Sequence, residues 1–89
     1  MVEIKPSTRA DKKLMAIFPD GTTTHFGAKG FEDFTTHRDE KRKELYIKRH
    51  RANEDWSNPK AAGTLARFIL WNKPTLSASI ADYKKRFNL

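Results

Sequence analysis

KLMAIFPDGTTTHF, residues 13–26, decides the fold class. Lys13 to Phe18 is an apolar run of strand length. Pro19-Asp20-Gly21 follows, with proline fixing φ and glycine free to take φ > 0, which is turn chemistry. Thr22 to Phe26 is β-branched and then aromatic and reads as the returning strand. An isolated hairpin is marginal in water and needs a helix or further strands to cover it. Upstream, Met1 to Lys12 mixes charge with Pro6 and Ser/Thr. It reads as an arm with a short extended piece at Val2 to Lys5. Downstream, Gly27 and Gly30 punctuate a loop.

The cover must come from the helical segments that follow. Thr35 or Thr36 can cap a helix over Arg38 to Arg51, and Thr36 with Asp39 resembles a capping box with Asp in place of Glu. Asp39–Lys43 and Glu44–Lys48 are i,i+4 pairs in the favourable orientation. Leu45, Tyr46 and Ile47 are consecutive, so they form no stripe, and this helix docks lightly by its middle. Ser57-Asn58-Pro59 reads as the start of a second helix, Pro59 to Trp71, with Ala61, Leu65, Phe68 and Ile69 at helical spacing. Leu65, Phe68 and Ile69 are its expected core residues. Gly63 weakens that helix unless another backbone approaches closely. Pro74 ends it, and Thr75 or Ser77 caps a third helix with Leu76, Ile80, Tyr83 and Phe87 on one face. The expected architecture is α+β and mostly helical: an N-terminal β-hairpin packed on three α-helices. Residues 1–12 form the arm and residues 13–89 a single domain.

The 89 residues carry 18 Lys+Arg against 11 Asp+Glu, a formal +7. Such an excess favours an acidic partner, whether nucleic acid, an anionic membrane face or an acidic protein, or serves solubility alone. With no cysteine, disulfides, Cys-ligated zinc and thiol catalysis are excluded. The N-terminus lacks the apolar segment of a signal peptide, so a secreted protein is not expected. The longest apolar run, Phe68 to Trp71, is too short to span a bilayer.

No catalytic constellation emerges. His25, His37 and His50 share no i,i+4 face, which argues against a metal site. His25 reads as a strand side chain and His50 as a surface partner of the basic helix. Ser7, Ser57, Ser77 and Ser79 lack a nucleophile-elbow context, and Ser57 and Ser77 read as caps. Neither a phosphate-cradling glycine loop nor a dinucleotide fingerprint occurs, and no cofactor or small-molecule substrate is expected. Glu32/Asp33 and Glu54/Asp55 are expected to pair with nearby bases. The feature above background is the segment Arg38–Arg51, with seven Lys/Arg against three Asp/Glu. Lys41, Arg42, Lys43, Lys48, Arg49 and Arg51 are the candidate partner- or phosphate-binding residues. The segment offers no Asn or Gln base readers and no helix-turn-helix spacing.

The runs GTTTHFGAKGFEDFTTHRDEKRKELYIKRH, WSNPKAAGTLARFILWNKPTL and SIADYKKRF resemble a family of small basic proteins encoded by nucleocytoplasmic large DNA viruses of eukaryotes. The resemblance covers Lys13 to the C-terminus. It implies a viral origin and virion architecture, in which small proteins cement arrays of major capsid protein. The leading expectation is a non-enzymatic structural protein, a minor capsid or other virion component, partnered by other capsid proteins. It would reside in the virion or in the host cytoplasm or nucleus. The alternative is a nucleic-acid-binding protein that uses the basic helix 38–51.

Overall fold

The computed structural model describes residues 2–89. Three strands, β1 (Glu3–Pro6), β2 (Lys12–Ile17) and β3 (Thr23–Ala28), form one antiparallel sheet in the order β1-β2-β3. The expected hairpin is therefore two-thirds of a larger sheet. Glu3 pairs with Ile17, Ile4 with Ala16, Lys5 with Met15 and Pro6 with Leu14. The extended piece of the arm is an edge strand, and Val2 just before it is buried in the core. Two features of β1 suit an edge: it is short, and it carries Lys5 and Pro6, which discourage pairing with another chain.

The helices also depart from the expected three. There are four: α1 (Phe34–His37), α2 (Glu40–Arg51), α3 (Ala62–Leu65) and α4 (Leu76–Arg86), with a π-helical segment Ala66–Leu70 continuing α3. Asp residues, not Thr35 or Thr36, cap the first two. The Asp33 carboxylate accepts from the Thr35 N–H, and Asp39 accepts from the N–H groups of Lys41 and Arg42. Asp39 thus satisfies the helix start rather than pairing with Lys43. Between the two helices Arg38 takes the left-handed conformation, φ 53°, and its N–H closes α1 on the Phe34 carbonyl.

The expected helix start at Asn58-Pro59 is displaced to Ala62, whose cap residue Ala61 offers no side-chain acceptor. Asn58 Oδ1 accepts from the Lys60 N–H, making an Asx turn instead of a cap. The next residues are held by tertiary bonds. Tyr83 donates its hydroxyl to the Pro59 carbonyl at 2.6 Å. Thr24 donates to the Lys60 carbonyl at 2.8 Å, and the Lys60 ammonium pairs with Asp20 in the β2–β3 turn.

The core lies between one sheet face and the α3–π segment, with α4 behind it. Ala16, Phe18 and Phe26 from the sheet meet Leu65, Phe68, Ile69 and Leu70, and Tyr83 seals the far side. Thr75 caps α4 through the Ala78 N–H. Of its expected apolar face, Tyr83 is buried and Ile80 and Phe87 pack on the core, but Leu76 is 36% exposed.

Tyr83 supplies a pH test. Burial pushes its phenol up from 10 to about 12. A folded pKa above the unfolded one means the neutral phenol's stabilisation is complete below about pH 10 and is lost as pH rises towards 12. Denaturant melts from about pH 8 to 12 are expected to show a shallower alkaline loss for Tyr83→Phe, which cannot ionise. Equal slopes for the two proteins would refute this role for Tyr83.

Candidate functional site

No residue of helix α2 is fully buried. What holds it is an aromatic ladder. The Tyr46 ring stacks on Trp71 at 4.4 Å, with 5° between planes, and on His50 at 4.2 Å. The His37 ring also lies against Trp71, with centres 5.2 Å apart and the planes tilted. His37 Nδ1 accepts from the Asp39 N–H, so this ring also fixes the entry into α2. Such ring pairs each add about 0.5–1.5 kcal/mol beyond burial, enough to dock a polar helix by one side. Burial, and then the charge of Glu54, raise the Tyr46 phenol to about 12, with Arg67 opposing.

Beside the ladder α2 stands off from the rest of the domain and leaves a cleft of about 690 Å³. Its lining includes Ala62, Gly63, Ala66, Leu70 and Trp71 from the α3–π segment, Gly27 and Ala28 from β3, and Leu45, Tyr46 and Arg49 from α2. Two large apolar side chains that line it are open to solvent: Phe31 is 72% exposed and Leu45 58%. Gly27 takes φ +80°, and a Cβ there would sit 2.6 Å from Leu70 Cδ1. At Gly63 the close neighbour is the Glu54 carboxylate, into which a Cβ would collide, rather than the backbone that the sequence suggests.

The six candidate cations separate around the helix. Arg42 and Arg49 reach the cleft. Arg42 also pairs with Glu32 at 3.2 Å. Lys43 lies over the Phe34 ring, 4.8 Å from its centre. Lys41 and Lys48 flank Glu44 and Leu45 around a shallower exposed hollow. Arg51 ends the helix. With 100° per residue, Lys41 and Lys48 stand about 100° from Arg42 and Arg49, so no single cationic stripe forms. Of the acids, Glu32 and Glu54 pair with α2 residues, Glu54 through His50 at 3.1 Å. Asp33 is buried, bonded to Lys13 at 2.6 Å and to its cap, so its role is structural. Asp55 is held by Ser57, whose hydroxyl and N–H both donate to it, and this keeps its carboxyl below the usual range. His25 lies in β3 with Nδ1 2.7 Å from the Ser7 hydroxyl.

Among the described residues no three His, Asp or Glu gather closely enough to hold a metal ion, and no helix is long and apolar enough to cross a membrane. Sequence reasoning missed Phe31, Leu45 and Trp71 as site residues. One signal was present: Arg42, Leu45 and Arg49 follow at i,i+3,i+7, and Tyr46 and His50 at i,i+4, each set on one face of α2.

No curated protein and no solved structure matches the chain significantly. A family model described as "Family of unknown function (DUF5754)" matches residues 2–50, from the edge strand through all but the last residue of α2. That is more than half of the chain, and the chain belongs to this family of unknown function.

Proposed function

We propose that the protein is a non-enzymatic interaction module whose cleft receives an apolar segment of a partner protein. The observation that carries this reading is the pair of exposed apolar side chains, Phe31 and Leu45, lining a cleft that Leu70 and Trp71 also line. Small domains seldom leave such residues together in water without a partner to cover them. Two cations that line the cleft are matched internally: Lys13 with Asp33 and Arg42 with Glu32. Arg49 has no carboxylate within ion-pair range among the described residues, and suits one acidic group on the incoming segment. The cations of α2 point in different directions around its axis, and this scatter disfavours a dedicated phosphate-binding face on that helix. The sequence resemblance to proteins of large DNA viruses supports a virion partner and a minor capsid role.

Leu45→Asp and Phe31→Asp are expected to block incorporation into particles while leaving the melting temperature nearly unchanged, since exposed substitutions seldom move stability by more than about 0.5 kcal/mol. A photo-crosslinker at position 45 should join the chain to capsid protein in wild-type particles. Normal incorporation of both Asp variants would overturn the proposal.

A further inference from the structure

We propose that Arg67 and Arg86, where the π-helical segment meets α4, form a phosphate-binding surface for a nucleic-acid backbone. The proposal is independent of the cleft, whose lining includes neither residue. The Arg67 guanidinium carbon lies 4.9 Å from the centre of the Phe68 ring, and that of Arg86 lies 4.5 Å from the same centre. Two like charges therefore share one ring. Arg67 also stands 5.5 Å from the centre of the Trp56 ring.

The pair is poorly neutralised. Among the described residues no carboxylate comes within ion-pair range of Arg67. Its Nη1 donates to the Trp71 carbonyl at 2.8 Å, and its Nε–H is buried without an acceptor. Arg86 reaches Asp82 at 3.2 Å, but the same Asp82 oxygen already accepts from Asn72 at 2.6 Å. Burial first, and then the fields of Arg86 and Arg51, lower the Arg67 pKa, with Tyr46 and Asp82 opposing. Holding guanidinium groups together against their repulsion is a cost that a bound anion removes. The planar fork of arginine matches phosphate oxygens two at a time, which a lysine cannot do.

The cations here are several. Lys84 and Lys85 share the last turn of α4 with Arg86, and Arg51 lies near enough to Arg67 to act on its charge. A group of separate cations on the surface suits repeated phosphates better than one enclosed phosphoryl group. Among the described residues Arg51, Lys84 and Lys85, like Arg67, have no carboxylate within ion-pair range, and Arg86 alone of the group is paired.

The test is anisotropy of a short, fluorescein-labelled oligonucleotide of mixed sequence, titrated with the full chain over a range of salt. Arg51→Gln with Arg86→Gln is expected to weaken binding about tenfold or more. It should also lower the slope of log K against log salt by about 1.8, two phosphate contacts at 0.9 each. Lys41→Gln with Lys48→Gln removes the same charge from α2 positions away from Arg67 and is expected to weaken binding less than about threefold. All four side chains are exposed, so folding should survive, and Arg86→Gln alone should act in the same direction. Three results would overturn the proposal. They are no binding by the wild type, equal losses from the two double variants, or displacement of the oligonucleotide as readily by polyglutamate, which would point to an acidic protein surface.

Discussion

Phe68→Ala is expected to destabilise the domain by about 3–5 kcal/mol, the range for emptying a buried aromatic site. A domain of this size is stable by about 5–10 kcal/mol, so the variant should sit close to unfolding at physiological temperature. The position justifies the upper part of that range. Phe68 is 8% exposed and meets Trp56 edge-on at 6.4 Å and Phe87 edge-on at 5.7 Å. Arg67 and Arg86 both lie over it. Removing the ring leaves a void between the π-helical segment and α4, and strips two guanidinium groups of their shared support. Urea melts measure the effect, with Leu76→Ala as the contrast. Leu76 is 36% exposed, so its loss should cost well under half as much. Similar midpoints for Phe68→Ala and the wild type would refute the assignment of Phe68 to the core.

Phe68 was legible in the sequence because helical periodicity survives the change from α to π within the segment. Leu65 and Ile69, its companions in that expectation, are fully buried. The segment's beginning was not legible. Asn58-Pro59 carries the right local chemistry for a helix start, yet the Pro59 and Lys60 carbonyls accept from Tyr83 and Thr24. Those donors lie 24 and 36 residues away in sequence. Long-range bonds of this kind override local propensity and leave no trace in the local pattern. The third strand was legible as an extended piece over Val2 to Lys5, but its pairing was not, for a related reason. Only Val2 and Ile4 mark its inward face, Pro6 closes it, and its pairing with β2 is the evidence for it.

The candidate site divides in the same way. Its charges could be counted along one helix, but its cleft is assembled from β3, the loop carrying Phe31, α2 and the α3–π segment. A count of charge along α2 carries no information on which way each cation points. The packing that sends Tyr46 and His50 onto Trp71 turns Arg42 and Arg49 one way and leaves Lys41 and Lys48 another.

Gly27→Ala should show how closely the sheet and the cleft are tied, and is expected to cost about 2–5 kcal/mol. Two effects add. Gly27 holds φ +80°, where any residue with a Cβ loses about 1–2 kcal/mol. The new Cβ would also lie 2.6 Å from Leu70 Cδ1 and 3.4 Å from Lys13 Cβ. Leu70 is buried at the cleft floor, so relieving the contact means repacking it, for about another 1–3 kcal/mol. Gly21→Ala separates the terms, because Gly21 has a similar φ, +90°, with nothing near its Cβ position. It should show the conformational loss alone. Displacing Leu70 also alters the cleft without touching Arg67 or Arg86. Below its melting temperature, Gly27→Ala should therefore impair particle incorporation while leaving oligonucleotide affinity within about twofold of wild type. Equal destabilisation by the two glycine substitutions would mean that Leu70 yields freely and that β3 does not shape the cleft floor.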